Sequence, residues 1–218
     1  MLIPIQPVSV DPEKVAFQMC ESGEQVTYAQ LEGRANQVAH LVSDLGIHPG
    51  EHVAVLMNNC RELLELCFGF DRSGVYYTLI STRLTTDEID YIVRDCGARL
   101  FIYASALENV EPDLFAKLPK NLQCMCVGAS VEQSGHGDWR AQCAQKPTSA
   151  IAQALQGGDM LYSSGTTGRP KGVLWPLPKT EAGQATMLVK LLVPLFGYGA
   201  DSHYLSTAPL YHAAPLRH

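Results

Sequence analysis

Leu161-Tyr162-Ser163-Ser164-Gly165-Thr166-Thr167-Gly168-Arg169-Pro170-Lys171-Gly172-Val173-Leu174 is the stretch from which the rest of the chain is read. Every residue from 163 to 168 is Ser, Thr or Gly, and the cations Arg169 and Lys171 follow. Glycines let main-chain N–H groups come close to a ligand, hydroxyls add donors, and cations neutralise charge. This composition suits a backbone wrapped around phosphate oxygens. Leu161 and Val173 bracket the loop with strand-forming apolar residues, so Met160–Ser163 and Lys171–Trp175 read as adjacent strands joined by it. A flexible Ser/Gly/Thr surface loop would not require an ordered Pro-Lys-Gly tail running into a strand.

Two common phosphate loops do not fit. The Walker pattern places lysine and a hydroxyl residue at the start of a helix, whereas here Pro170 precedes Lys171 and Gly172 follows it. Gly165 and Gly168 do not make the Gly-x-Gly-x-x-Gly of a dinucleotide fold. An ordinary NTPase or phosphotransferase reading loses its main support with the first pattern.

Upstream, extended and helical segments alternate. Val15–Met19 reads as a short strand, and Thr27 caps a helix over Tyr28–Leu45. In that helix Leu31, Ala35, Val38, Leu41, Val42 and Leu45 recur at helical spacing, and Gly46 stands at the C-terminal stop. His52–Met57 reads as a buried strand, Arg61–Ser73 as a helix and Val75–Ile80 as the next strand. Thr85-x-x-Glu88 is a capping box for Asp87–Cys96, which Gly97 ends. Leu100–Tyr103 and Leu122–Val127 follow as strands. Repeated strand–helix units of this length predict an α/β fold with parallel-rich sheets flanked by helices. Residues 128–158, rich in Gly, Ser, Gln and Ala, read as a loose surface connection. Beyond the loop, a helix is expected over Thr180–Leu195 and a last strand over His203–Thr207. The apolar run Met187–Phe196 reads as a helix buried against a sheet.

Bulk properties narrow the class further. The chain has 218 residues, 46% hydrophobic and 17% charged, against about a quarter charged in a typical globular protein. A net charge of −6 argues against nucleic acid as a partner. The seven cysteines show no zinc spacing and no Cys-x-x-Cys pair. Reduced, buried thiols in a cytoplasmic protein are the expectation, with Cys124 and Cys126 on one side of a strand. The N-terminus lacks a basic start before an apolar core, so it does not read as a secretory signal. Met187–Phe196, broken by Lys190 and Pro194, falls short of the roughly 20 residues of a membrane span. No transmembrane segment is expected.

The loop also resembles the signature of the adenylate-forming superfamily, which includes acyl-coenzyme A ligases, luciferases and the adenylation domains of peptide synthetases. Ser163, Ser164, Gly165, Thr166, Thr167, Gly168, Pro170, Lys171 and Gly172 all match its pattern. Thr27-Tyr28-x-x-Leu31, Gly46 to Gly50-x-x-Val53-Ala54-Val55 and Asn58-Asn59 look like the opening of an acyl-coenzyme A ligase. Pro209-Leu210-Tyr211-His212 is similar to the family's second motif. The resemblance runs over about residues 10–218.

It implies part of the large N-terminal AMP-binding domain: residues 1–127 an α/β subdomain, 128–158 a surface connection, and 159–218 the phosphate-loop segment and the start of the acyl-binding region. It implies that Ser163, Ser164, Gly165, Thr166, Thr167, Gly168, Lys171 and Gly172 hold the phosphates of ATP. Lys171 is then the direct charge contact, and Arg169, at the variable position, faces solvent. Tyr211 and His212 are expected to line the acyl pocket, with Ala213, Ala214 and Leu216 as apolar neighbours. No catalytic residue and no metal ligand is assigned within the segment. His40, His48, His52, His136, His203 and His218 show no partner pattern and read as structural or exposed. Trp175-Pro176-Leu177 departs from the polar residues and histidine that many relatives carry there.

The implied reaction joins a fatty or other apolar carboxylic acid to AMP, using ATP and Mg2+, and then to coenzyme A. An aryl acid, or an amino acid on a carrier protein, is an alternative substrate. The family's later motifs find no match before His218. The chain is therefore expected to be an N-terminal fragment, inactive alone, with an exposed apolar edge that predicts a partner chain or poor solubility; a homo-oligomer is a further partner expectation. A non-catalytic nucleotide-binding or interaction fragment is the competing reading.

Overall fold

Two capping boxes and a left-handed glycine punctuate the helices that frame the fold. The Thr27 hydroxyl accepts from the Gln30 amide at 3.3 Å, while the Gln30 side chain accepts from the Thr27 amide at 3.0 Å. Thr85 and Glu88 repeat the exchange, the Thr85 amide donating to Glu88 Oε2 at 2.9 Å. These reciprocal bonds satisfy donors that a helix start leaves orphaned. Gly74 (φ 69°) ends the second long helix in the left-handed region that favours glycine.

The computed structural model describes residues 11–108, 113–129, 131–163, 169–179, 181–183, 187–199 and 201–217. Strands β1 (Val15–Gln18) and β2 (Gln25–Thr27) form an antiparallel hairpin that feeds α1 (Tyr28–Asp44). Then come β3 (His52–Leu56), α2 (Arg61–Ser73), β4 (Tyr76–Ile80), α3 (Thr86–Asp95) and β5 (Ala98–Ala104). Short helices α4 (Ser105–Glu108) and α5 (Leu114–Lys117) precede β6 (Gln123–Val127). Next are α6 (Val131–Ser134), β7 (Gly137–Asp138), α7 (Trp139–Ala144) and β8 (Gly158–Asp159). The remainder comprises β9 (Leu161–Ser163), β10 (Lys171–Val173), α8 (Met187–Phe196) and α9 (Ala213–Arg217).

Six strands pair in parallel in the order β7-β6-β5-β3-β4-β8. The chain steps outward from β3 to β4, then returns past β3 to lay down β5 on its other side. That reversal creates a switch point, and ligands of such sheets lie outside the carboxyl ends of the strands there. Period-two alternation assigns the faces. Val53, Val55, Tyr77, Leu79, Leu100 and Ile102 pack under α1 and α2 with Val38, Leu41, Leu66 and Phe70. Ala54, Leu56, Ile80, Phe101, Tyr103 and Cys126 pack under α3 with Ile89, Ile92 and Val93.

Helices α1 and α2 approach closely because Gly69 has no side chain: a Cβ there would stand 2.2 Å from Val38 Cγ1 and 3.0 Å from the Ala35 carbonyl oxygen. Beside that contact the buried Arg72 guanidinium makes a two-pronged pair with Glu32, at 2.8 and 3.0 Å. It also donates to Asn36 Oδ1 and to the Phe68 carbonyl. Among the described residues no helix is long and apolar enough to cross a membrane.

Four expectations change. Residues 128–158 are not simply a loose connection, because α7 inserts Trp139 (3% exposed) and Cys143 into the core and β7 and β8 extend both edges of the sheet. Residues 203–207 form no strand, since no partner strand lies beside them among the described residues. The helix expected over 180–195 is described over Met187–Phe196; residues 180 and 184–186 lie outside the described residues, and 181–183 are not helical. That helix is not buried: Leu191, Leu195 and Phe196 are exposed, as are Trp175 and Leu205 nearby in the sequence.

Candidate functional site

Two short segments carry the residues singled out above. The first is the hairpin β9–β10, whose antiparallel register pairs Leu161 with Val173, Tyr162 with Gly172 and Ser163 with Lys171. Two three-residue strands cannot hold themselves together in water, so their anchors matter. The Thr78 hydroxyl of β4 donates to the Met160 carbonyl at 2.9 Å, and the Met160 amide donates to the Tyr77 carbonyl at 2.8 Å. Leu161 packs into the core under α1 and α2. Gly172 packs closely against its partners: a Cβ would stand 2.4 Å from Met160 Cε and 2.9 Å from the Tyr162 ring, so a larger residue would push those side-chain ends aside.

The helix α3 holds the hairpin from the other side. The Tyr162 hydroxyl donates to Asp95 Oδ2 at 2.6 Å, and Tyr91, one turn earlier on α3, donates to Asp95 Oδ1 at 3.4 Å. Burial, and then the bond to Asp95, raise the Tyr162 phenol above its ordinary pKa. Arg169 is exposed as expected, yet its guanidinium lies over the Tyr91 ring, 5.6 Å from the centroid. After β10, Tyr76 fixes the chain through its hydroxyl, donating to the Trp175 carbonyl at 3.0 Å and accepting from the Leu177 amide at 3.1 Å. Its ring stacks on His52, whose pKa burial lowers. This is a packing role for His52.

Ser163 and Lys171 are therefore neighbours across the hairpin, both exposed, and Lys171 has no ion pair among the described residues. Gly172 is half-buried beside them. Ser164, Gly165, Thr166, Thr167 and Gly168 lie outside the described residues.

The second segment is 208–217. The Asn59 carboxamide, just before α2, donates to the Ala208 carbonyl at 3.2 Å and accepts from the Leu210 amide at 2.9 Å. Leu210 and Leu216 enter the core, and Arg217 makes two bonds to Asp159 of β8, the shorter 2.6 Å. Between these anchors Tyr211 and His212 are presented with ring centroids 4.6 Å apart, His212 exposed. Leu216, read above as an apolar neighbour of the pocket, is 1% exposed and belongs to the core instead.

Tyr211 also lines a cavity of about 300 Å3 with Glu21, Asn58, Asn59, Thr82, Arg83 and Pro209. It lies at the carboxyl ends of β3 and β4, where Thr82 donates to Asn58 Oδ1 at 2.9 Å. Thr82 and Arg83 escaped the sequence reading because they sit in a turn without a motif. Among the described residues no hydrogen bond, ion pair or ring contact joins Ser163 and Lys171 to Tyr211 and His212. Nor does any group of three or more His, Cys, Asp or Glu form a metal-binding cluster there.

Comparison with known proteins shows the family. The family described as AMP-binding enzyme matches residues 6–218. The chain is 31% identical over 176 residues to 3-oxocholest-4-en-26-oate--CoA ligase of Rhodococcus rhodochrous, covering 77% of this chain and 31% of that protein. It is 32% identical over 174 residues to the long-chain-fatty-acid--CoA ligase FadD13 of Mycobacterium tuberculosis, covering 78% and 33%. Among solved structures, the anthranilate CoA ligase AuaEII in complex with anthranoyl-AMP superimposes with a TM-score of 0.67 at 30% identity, over 76% of this chain and 32% of that one. Apo MatB from Rhodopseudomonas palustris does so with a TM-score of 0.71 at 25% identity, over 94% and 39%. The chain thus spans about a third of the length of these curated relatives. With its parallel sheet, its β9–β10 hairpin and a match from residue 6 to 218, the chain belongs to the AMP-binding enzyme family.

Proposed function

We propose that the protein carrying this sequence activates a carboxylic acid with ATP and passes the acyl group to coenzyme A. In the first step a carboxylate oxygen attacks the α-phosphorus of ATP; the bond to the bridging oxygen breaks, and pyrophosphate leaves with the negative charge. In the second step the coenzyme A thiolate attacks the acyl carbon and AMP leaves. Mg2+ enters as the partner of ATP in this scheme, a substrate rather than an ion held by the described residues.

The observation that carries the reading is the presentation of Lys171 beside Ser163 on an anchored hairpin, in a chain of this family. A cation carried on an anchored strand, with no counter-charge among the described residues to withdraw it, is suited to charge developing on departing pyrophosphate. Ser163, Ser164, Gly165, Thr166, Thr167, Gly168 and Gly172 are assigned to the same phosphates, and Tyr211 and His212 to the acid. Relatives named for long-chain-fatty-acid and sterol-acid substrates support an apolar acid as the substrate class.

The test is acid-dependent exchange of pyrophosphate into ATP, using the longest reading frame that contains this sequence and a panel of fatty, aryl and amino acids. Exchange with fatty acids is the expected result. Lys171→Ala is expected to lower exchange about a hundredfold, the scale of one preorganised transition-state contact, with the melting temperature unchanged. Full exchange in that variant would remove the role given to Lys171. A folded parent that binds ATP but exchanges with no acid would make the nucleotide-binding reading the correct one.

A further inference from the structure

Lys171 lies on a hairpin too short to be stiff, so whatever stiffens it sets where the cation stands. The links to β4 act through Met160 and the core side of β9. On the outer side one helix face does the holding, and Tyr91 and Asp95, four residues apart, share that face of α3. Asp95 receives the Tyr162 hydroxyl at 2.6 Å, a short bond of the charge-assisted kind. The Tyr162 ring is the surface against which Gly172 packs without a side chain. Gly172 is cross-strand partner to Tyr162 and chain neighbour to Lys171. On the far side of Lys171, Arg169 rests over Tyr91.

We infer that Asp95 is a positioning residue for ATP use, acting through the Tyr162 hydroxyl and the Gly172 contact to hold Lys171 where the phosphates arrive. This rests on the phosphate role proposed for Lys171. Asp95 itself touches no substrate in this scheme. Its carboxylate is spent on two phenols that belong to different elements, α3 and β9, and the pair turns a helix into a buttress for the hairpin. The Pro-Leu-Tyr-His segment is anchored separately, through Asn59 and Arg217, so loosening the buttress should reach ATP and leave the acid alone.

Three variants of the full-length protein test this. Tyr162→Phe keeps the ring on Gly172 and removes only the hydroxyl; Asp95→Ala removes the acceptor; Asp95→Asn restores a neutral acceptor. In Tyr162→Phe and Asp95→Ala the KM for ATP is expected to rise about tenfold, the equivalent of one charge-assisted hydrogen bond, with the KM for the acid unchanged. Asp95→Asn should recover most of the loss. Equal rises in both KM values, or none in either, would overturn the inference. A parent protein without exchange activity would instead refute the proposed function. The buttress is then judged by backbone hydrogen exchange at Tyr162 and Gly172: faster exchange in Tyr162→Phe upholds it as a device of the fold, and unchanged exchange overturns it.

Discussion

The Glu32–Arg72 pair offers a prediction in which the direction of asymmetry can be worked from the structure. The Arg72 side chain is 7% exposed and that of Glu32 is 39% exposed, so removing one partner leaves two different remnants. Glu32→Gln strands a guanidinium between α1 and α2 without a counter-charge. Breaking a fully buried pair costs about 3–5 kcal/mol; because water reaches the Glu32 end, about 2–3 kcal/mol is expected here. Arg72→Met leaves a carboxylate free to turn to solvent, and its loss falls mainly on Asn36 Oδ1 and the Phe68 carbonyl, which forfeit a donor. That amounts to about 1–2 kcal/mol. The double variant should sit near Arg72→Met alone, giving a coupling of about 2–3 kcal/mol, the whole cost of Glu32→Gln. Urea unfolding with a common m-value is the assay, and the melting temperature should fall roughly 4–12 °C for Glu32→Gln and 2–8 °C for Arg72→Met. An Arg72→Met loss equal to or greater than that of Glu32→Gln, or strict additivity in the double variant, refutes the reasoning.

Two further changes probe the sheet edge near the site. Asp71 is 1% exposed beside the Tyr77 hydroxyl, and burial, which outweighs that neighbour, holds its carboxyl well above the usual range. The folded state therefore keeps a proton that the unfolded chain releases at about pH 4. Asp71 favours folding at acid pH, and that contribution is lost as pH rises through the folded value, by up to about 1.4 kcal/mol per pH unit. Asp71→Asn should abolish this decline, so that the variant gains on the parent between pH 4 and neutrality in denaturant midpoints; parallel profiles would exclude it. Gly157→Ala would place a Cβ 2.3 Å from the Phe70 carbonyl oxygen and 2.7 Å from that of Val75, both main-chain atoms. Loss of the neighbouring β8 contacts should cost about 3 kcal/mol in thermal unfolding, and a cost below about 1 kcal/mol would contradict the observed fit.

How far each element could be read in advance follows from its length and its local chemistry. Helix α1 was legible because Thr27 can cap it and its apolar residues repeat over four turns, while the Gln30 half of the capping box emerged only in the structure. The residues read as its stripe are buried or packed against the core. Strands β3 to β6 were legible as apolar runs between turns, since parallel strands are covered on both faces. By contrast, α7 has six residues, too few for a period to show, and its anchors Trp139 and Cys143 are visible only in the packed core. Residues 203–207 have strand-like composition, but a strand exists only where another lies beside it. In the candidate site, Ser163, Lys171 and Gly172 were singled out because a loop of that composition has few uses; their phosphate role is the proposal made above. Asp95 could not: a carboxylate near the end of a helix looks like any solvated charge until Tyr162, 67 residues later, reaches it.

The Asn59 clamp has a consequence for the order of events during synthesis. Its acceptor holds the Leu210 amide, 151 residues further along. At roughly 5–20 residues per second, Asn59 leaves the ribosome about eight to thirty seconds before Leu210 does. Throughout that interval the part of the core that Leu210 and Leu216 fill stands open to water, beside a sheet whose central strands already exist. The nascent chain thus carries an apolar recess with a fixed lifetime. Arrival of residues 208–217 closes that recess and sets Tyr211 and His212 between the Asn59 and Arg217 anchors, so completing this part of the core also positions the segment proposed to meet the acid.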